Sequence, residues 1–245
     1  RADWEGWTEE EPALPPYDGP LSFEPDRLGG MRDAEIDALI GSLDIDHARD
    51  GEVIVAFGMN GEQLPLLNGF PLRVIVPGWY STYWVKSLNH IDLLSAKDTN
   101  YWMAKAYQIP TAAGADVPPG TTEFAKAPIS AMNVRSWITS AEPGARLPFA
   151  ERLPVRGIAM GGNVGVRRVE VSGDGGKTWT DAKLGSDEGR YSFRRFEAAV
   201  PVARGKVVLM SRATSADGSV QPTKANWNPG GYMRNCVEPC PVEIV

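Results

Sequence analysis

The chain has 245 residues, of which 42% are hydrophobic and 23% charged, and its formal net charge at pH 7 is -6. These proportions are typical of a loop-rich globular protein with one large core or two smaller ones, and they argue against intrinsic disorder. The negative charge disfavours nucleic acid as a partner, because binding to phosphate requires clustered Lys and Arg. It favours a basic protein partner instead.

The first part of the chain carries few regular signals. Residues 1–30 are rich in proline and acidic residues and predict a long covering loop. Apolar residues then recur at helical intervals and predict a short amphipathic helix over 32–42. No stretch approaches the ~20 apolar residues that a membrane-spanning helix needs. Because Arg1 and its neighbours resemble the interior of a longer protein, we expect an N-terminal portion outside this sequence.

Strand signals dominate the rest of the first half. Three β-rich segments, Glu52–Met59, Leu72–Val76 and Tyr83–Leu93, are each bounded by Gly, Pro or Asn. The following run 109–128 is dominated by Pro, Gly, Ala and Thr and predicts a linker. These signals divide the chain near residue 122, into domains 1–122 and 123–245.

Seven short strand-like runs follow the predicted boundary at regular spacing, which is typical of an immunoglobulin-like β-sandwich. Between two of them, SGDGGKTW places Asp174, Gly175 and Gly176 in a turn. Residues that tolerate positive φ, flanked by alternating strands, predict a β-hairpin. The runs are NVRSWIT, VRGIAM, VRRVEVS, KTWTDAKL, YSFRRFEAAV, KVVLMSRAT and PVEIV.

Familiar catalytic and metal motifs are absent from the sequence. The two histidines, His47 and His90, lie outside any nucleophile motif, and there is no P-loop or dinucleotide fingerprint. The two cysteines, Cys236 and Cys240, form a CxxxC pair without the further ligands that zinc requires. On one strand they would be ~13 Å apart, too far for an unstrained disulfide. We therefore interpret them as structural thiols.

The block MNGEQLPLLNGFPLRVIVPGWYSTYWVK, residues 59–86, combines turn signals with short apolar runs, as in loops at strand ends that bind ligands. Arg73 and Lys86 are cations within its apolar strand-like runs. Each must either extend to solvent at a sheet edge or meet an anion such as a phosphate. Spacing alone leaves both alternatives open.

The same block resembles the molybdopterin-binding core of the sulfite oxidase family, whose members carry similar MNG-x-x-LP, GFP-x-R and VPG…VK elements. YWMAKAY lies at the spacing of the segment with the family's active-site tyrosine. SGDGGKTW resembles the signature of the family's C-terminal dimerisation domain, and GGYMRN is similar to bacterial members. The elements span nearly the whole chain in the expected order. Bacterial periplasmic sulfite dehydrogenases are the members that the sequence resembles most.

The resemblance implies specific roles for four residues. Arg73 would hold the phosphate of the pterin, and Lys86 would contact the same cofactor. Asn68 stands where animal sulfite oxidases have a cofactor-contacting histidine, and an amide can still form a hydrogen bond there. Tyr107 would lie beside the metal, where a phenol can support proton movement coupled to electron transfer.

Two departures from the family pattern accompany these matches. The cysteine that ligates molybdenum in the family belongs to the first half of the cofactor domain, and we expect it outside this sequence, so no residue here is assigned to the metal. Near Gly230, animal enzymes place a substrate-pocket arginine. Arg234 is close in sequence, and either a substrate-pocket or a structural role remains open for it.

The resemblance implies a mixed, mostly β protein in which the C-terminal part of a molybdopterin domain precedes an immunoglobulin-like sandwich. It further implies oxidation of sulfite to sulfate at a molybdenum-molybdopterin centre. The sequence has no haem motif, so cytochrome c is the expected acceptor or partner subunit, in the periplasm. Two alternatives stay open: another reaction of the family, such as that of a sulfane dehydrogenase, sulfoxide reductase or nitrate reductase, and a non-catalytic role in subunit association.

Overall fold

The computed structural model describes residues 42–245 and divides them into two units, with the division between Gln108 and Ile109. The predicted loop over 1–30 and the predicted helix over 32–42, apart from its last residue, lie outside the described residues. Within residues 42–245, no helix has the length and hydrophobicity to cross a lipid bilayer. The proposed domain limits of 1–122 and 123–245 stay a prediction.

The first unit is built from short strands and single helical turns. Strands β1 and β4 pair antiparallel, with Ile54 opposite Ile75, and β2 and β3 form a tight hairpin. A five-residue π-helix ends just before Tyr107. The bounds are α1, Ile45–Ala48; β1, Ile54–Ala56; β2, Gly58–Met59; β3, Glu62–Gln63; β4, Arg73–Ile75; two 3-10 helices, Leu66–Asn68 and Ser81–Tyr83; and the π-helix Trp102–Ala106.

Two of the three predicted β-rich segments in this unit contain strands, and the third prediction, Tyr83–Leu93, was wrong. The segment does run beside its neighbour, because Val74 N donates to Val85 O at 2.9 Å and Leu88 N donates to Leu72 O at 2.8 Å. Between these bonds, however, Ser87 adopts a φ of +52°. This left-handed conformation turns the backbone out of the extended form, so a regular strand cannot continue.

The second unit contains strands in all seven predicted runs. The segment 109–128 has strand residues only at its two ends, in β5 and β6, and residues 111–125 between them form no strand, so its role as a linker stays a prediction. Asn226 Nδ2 donates to Gly114 O at 2.9 Å, and Asp116 accepts a bond of 2.8 Å from Trp227 N. The bounds are β5, Gln108–Pro110; β6, Lys126–Pro128; β7, Arg135–Ile138; β8, Arg146–Leu147; β9, Arg152–Met160; β10, Val166–Ser172; β11, Thr180–Asp181; β12, Lys183–Leu184; β13, Arg194–Pro201; β14, Gly205–Ser215; and β15, Cys240–Ile244.

Two sheets form the predicted sandwich: five strands in the order β11-β10-β14-β15-β8 and four in the order β12-β13-β9-β7. Along β9 and β15 buried and exposed residues alternate, since successive side chains point to opposite faces of a strand. The inward side chains meet between the sheets. The mostly β fold and the immunoglobulin-like sandwich predicted from the sequence are therefore confirmed. The most deeply buried apolar side chains of this core are Val155, Ala159, Val169, Val171, Val200, Leu209 and Ala213.

The predicted hairpin at Asp174 is also confirmed. Gly175 and Gly176 adopt φ values of 76° and 86°, and β10 pairs antiparallel with β11. The Asp174 carboxylate organises the turn: it accepts a hydrogen bond from the Thr178 hydroxyl at 2.6 Å and bonds of 3.0 Å from the backbone N–H groups of Lys177 and Thr178. These bonds, with the one from Thr178 the strongest, lower the pKa of Asp174 to about 2.

Asp174→Asn is expected to destabilise the protein by about 1 kcal/mol at neutral pH, because the charge is lost and the amide NH2 that replaces one carboxylate oxygen cannot accept the bond from the Thr178 hydroxyl. The pKa of an unfolded Asp is about 3.9, above the folded value of about 2, so the stabilisation by the carboxylate is complete above about pH 5 and is lost as the pH falls toward 2. Urea unfolding at pH 7 and pH 3 checks this. A stability difference between the two proteins that is as large at pH 3 as at pH 7 would contradict the role of the charge.

Candidate cofactor-binding site

A single turn at residues 65–69 organises the candidate site. Pro65 precedes the 3-10 helix Leu66–Asn68, and Gly69 ends it with a φ of 107°. A Cβ atom at Gly69 would lie 3.0 Å from the Cβ of Lys86, so the two backbone segments approach each other more closely than a larger residue would allow. Ser87 N donates to Gly69 O at 3.1 Å and closes the approach. Glycine at this position therefore places Lys86 beside the turn.

Arg73, the first residue of β4, points its side chain toward this turn. Its Nη1 donates to Asn68 O at 3.2 Å, and the guanidinium carbon lies 5.6 Å from the centroid of the Trp84 ring. The Nε atom is buried and has no hydrogen-bond partner among the described residues. A buried N–H without an acceptor is unfavourable, so an acceptor from a bound group would be stabilised there. The Nε of Arg135 is also buried without a partner, but the Arg135 guanidinium pairs with Glu238, whereas Arg73 has no carboxylate partner among the described residues.

Lys86 approaches the turn from the opposite segment. Its Nζ donates to Leu67 O at 2.7 Å, while the side chain is otherwise exposed. An ammonium group has three donors, so two remain available. Within residues 42–245, neither Lys86 nor Arg73 has a carboxylate partner. The alternatives that the sequence left open are thus partly resolved: Lys86 reaches solvent, whereas Arg73 is half-buried.

Asn68, Arg73 and Lys86 together form what we call the cation cluster. Two positively charged side chains bind the carbonyls of neighbouring residues, Leu67 O and Asn68 O. Like charges repel each other. An anion between them would relieve the repulsion and accept bonds from the free guanidinium and ammonium donors. Asn68 takes part in these contacts through its backbone carbonyl. The geometry is therefore that of an anion-binding site.

Tyr107 belongs to a different element of the first unit. It follows the π-helix Trp102–Ala106, its backbone N donates to Trp102 O at 2.8 Å, and its ring centroid lies 5.3 Å from that of Trp102. The π-helix is a wider turn that often occurs at functional sites. Of the four predicted site residues, the contacts described above bring Asn68, Arg73 and Lys86 together in the cation cluster. Tyr107 instead contacts Trp102.

Both halves of the chain match known families. Residues 29–102 match the family described as "Oxidoreductase molybdopterin binding domain", and residues 126–243 match the "Mo-co oxidoreductase dimerisation domain". Mitochondrial sulfite oxidase of Mus musculus is 32% identical over 206 residues, which are 80% of this chain and 37% of the relative. The chain belongs to the sulfite oxidase family.

Two further proteins are also similar to this chain. The crystal structure of the sulfane dehydrogenase SoxCD from Paracoccus pantotrophus matches with a TM-score of 0.67 and 27% identity, covering 80% of this chain and 50% of that one. An NADH nitrate reductase of Spinacia oleracea is 34% identical over 209 residues, 78% of this chain and 22% of the relative. The chain thus spans well under half the length of the mouse sulfite oxidase and of the spinach nitrate reductase.

The cofactor of the sulfite oxidase family is molybdenum bound to molybdopterin, and the cation cluster fits the anionic phosphate of that group. The unpartnered Nε of Arg73 is the observation that carries the fit, because Arg73 and the second cation, Lys86, bind the carbonyls of two neighbouring residues. A guanidinium presents its N–H groups as a planar fork that matches a phosphate, and an ammonium contributes a compact charge.

The substrate-pocket role left open for Arg234 gains no support from its contacts. Its side chain is 59% exposed and lies 3.6 Å from that of Glu238, four residues further along the sequence. Glu238 also pairs with Arg135, whose guanidinium lies 4.8 Å from the centroid of the Trp137 ring. These contacts describe an ion-pair group on the sandwich unit, and both roles stay open for Arg234.

Both cysteines are buried and neither forms a disulfide, in agreement with their interpretation as structural thiols. Cys240 begins β15 and faces the sandwich core, and burial raises the pKa of its thiol. The backbone carbonyl of Cys236 accepts a bond of 3.2 Å from Gln221 Nε2. Among residues 42–245 there is no group of three or more His, Cys, Asp or Glu side chains that could hold a metal ion.

Sequence reasoning did not single out Trp84 or the carbonyl groups of the turn. The indole N–H of Trp84 donates to Val76 O at 2.8 Å, and its ring faces Arg73. An aromatic residue two positions before Lys86 in an otherwise strand-like run was the available signal. The carbonyls left no signal in the sequence, because every residue has one.

Proposed function

We propose that this protein is the catalytic chain, or part of it, of a sulfite dehydrogenase that oxidises sulfite to sulfate. The observation that carries the proposal is the cation cluster, in which Arg73 and Lys86 bind neighbouring carbonyls and keep free donors for an anion. Membership of the sulfite oxidase family supports the cofactor, and the similarity to mouse sulfite oxidase supports the substrate.

The residues of this chain would bind and orient the cofactor and would move a proton during the reaction. Arg73 and Lys86 bind the phosphate and thereby orient the cofactor, while Asn68 holds Arg73 through its backbone carbonyl. The Tyr107 hydroxyl can donate one hydrogen bond and accept others, so it can hold or move a proton next to the reacting oxygen. When bound, the molybdenum-molybdopterin group supplies oxygen-atom transfer to sulfur and takes up two electrons.

The overall reaction converts sulfite and water into sulfate, two protons and two electrons. We propose that cytochrome c accepts these electrons one at a time, in the periplasm, as a separate protein or as a partner subunit. The net charge of -6 supports a basic electron acceptor, because opposite charges accelerate association and orient the encounter. Recovery of the activity in the fraction released by osmotic shock would test the location.

The first test is the metal and pterin content of the protein purified in its native assembly. We expect about one molybdenum atom and one molybdopterin per chain, with reduction of ferricytochrome c that depends on sulfite. A protein that contains molybdenum but reduces no acceptor with sulfite would contradict the substrate. A protein without molybdenum would contradict the enzyme and favour a role in subunit association.

A second candidate substrate class is sulfane sulfur, because the solved structure that matches with a TM-score of 0.67 is a sulfane dehydrogenase. The same purified protein should therefore be assayed with sulfite and with thiosulfate, which carries a sulfane sulfur. We expect a higher kcat/KM for sulfite. The reverse order would favour the second candidate and would leave the cofactor assignment unchanged.

A further inference from the structure

Trp84 lies next to the cation cluster and is fixed at one edge. Its indole N–H donates to the backbone oxygen of Val76 at 2.8 Å, and Val76 is the fully buried residue that directly follows β4. The next residue, Val85, accepts a bond of 2.9 Å from Val74 N, so the backbone on this side is also tied to β4. The plane of the ring is thus held by the same strand that carries Arg73.

The guanidinium of Arg73 has two supports in this arrangement. One is Asn68 O, which takes a bond from Nη1, and the other is the face of the Trp84 ring, 5.6 Å from the guanidinium carbon. This distance lies within the ~6 Å over which a cation is attracted to an indole face. With these two supports, the donors that remain free include the buried Nε.

Such support has a physical consequence for binding. A free arginine side chain loses considerable rotamer freedom when it binds an anion, and this loss weakens binding. A side chain already held in its binding orientation loses less, so its ligand dissociates more slowly. The surface of the indole therefore contributes to anion binding without touching the anion.

We propose that Trp84 is a positioning residue for the cofactor: it holds the guanidinium of Arg73 so that the fork containing Nε faces the phosphate. The proposal rests on the proposed function, because it takes molybdopterin as the ligand. It differs from the roles of Arg73 and Lys86 in that Trp84 acts through another residue and carries no charge.

The test compares the rates at which holoenzyme variants lose molybdopterin at a moderately raised temperature, with the released pterin measured as its fluorescent oxidation product. Trp84→Met keeps an apolar side chain of considerable size but removes the ring, and it should accelerate the loss about three- to tenfold. Trp84→Phe keeps a ring with a weaker attraction for cations and should fall between Trp84→Met and the wild type. The salt dependence of the loss should not change, because the charge of Arg73 is still present.

Trp137→Met is the matched control, since Arg135 lies over the Trp137 ring in the sandwich unit as Arg73 lies over Trp84. This control removes the same kind of pair and should leave the rate of pterin loss unchanged. Equal rates for Trp84→Met and the wild type, or equal acceleration in both Met variants, would overturn the proposal. If Trp84→Met does not fold, Trp84→Phe decides: a rate about twice that of the wild type supports the role, and an equal rate overturns it.

The readout separates this proposal from the proposed function. Wild-type protein without molybdopterin would overturn the function and the role of Trp84 together. Wild-type protein that holds molybdopterin, with Trp84 variants that lose it at the wild-type rate, would overturn only the role of Trp84. Sulfite turnover is not needed for either conclusion.

Discussion

Tyr107→Phe is expected to lower kcat for sulfite by about a hundredfold, which is the lower part of the range for a lost proton-transfer group. The substitution removes one hydroxyl group and keeps the aromatic ring. The ring centroid lies 5.3 Å from that of Trp102, and this packing is preserved. Molybdenum and pterin contents should therefore equal those of the wild type. Steady-state kinetics with ferricytochrome c, together with elemental analysis, measure both quantities.

Tyr101→Phe provides the control for this substitution. Tyr101 lies in the same segment, its ring contacts Trp102 at 5.5 Å, and its side chain is 60% exposed. The same chemical change at this position should leave turnover unchanged. Normal turnover in Tyr107→Phe would remove Tyr107 from the mechanism, and an equal decrease in both variants would mean that the aromatic packing of this segment is responsible.

Arg73→Ala should reduce retention of the cofactor roughly tenfold to a hundredfold, because it removes charge-assisted bonds worth about 1.5–3 kcal/mol. The loss of the charge should also weaken the dependence of retention on salt concentration, in contrast to the variants of Trp84. The measurement is the molybdopterin content per chain after gel filtration at low and at high salt.

Two further variants define the role of Arg73. Arg73→Lys keeps the charge but loses the planar fork, so its retention should lie between those of the wild type and Arg73→Ala. Arg135→Ala removes an arginine that also stacks on a tryptophan, but on the sandwich unit, and it should retain the cofactor fully. Full occupancy in Arg73→Ala would contradict the assignment of the phosphate contact.

Local patterns were sufficient for much of the fold. The turn at Asp174 was predicted because glycines at two consecutive positions permit positive φ, and both glycines adopt it. The seven runs of the second unit were predicted because alternation of buried and exposed residues is a property of each strand by itself. The run Tyr83–Leu93 failed because one residue, Ser87, takes a conformation that its neighbours in sequence do not require.

For the candidate site too, some features can be read from the sequence and others only from the folded structure. The sequence by itself determined which residues are present for chemistry, since the motifs around Arg73, Lys86 and Tyr107 can be read along the chain without coordinates. Only the tertiary structure decided what surrounds them: Lys86 reaches a carbonyl 19 residues away, and Arg73 lies against a ring that its own strand anchors. The physical reason is that residue identity is a local property, whereas the free donors of a cation depend on which carbonyls and rings the folded chain brings to it.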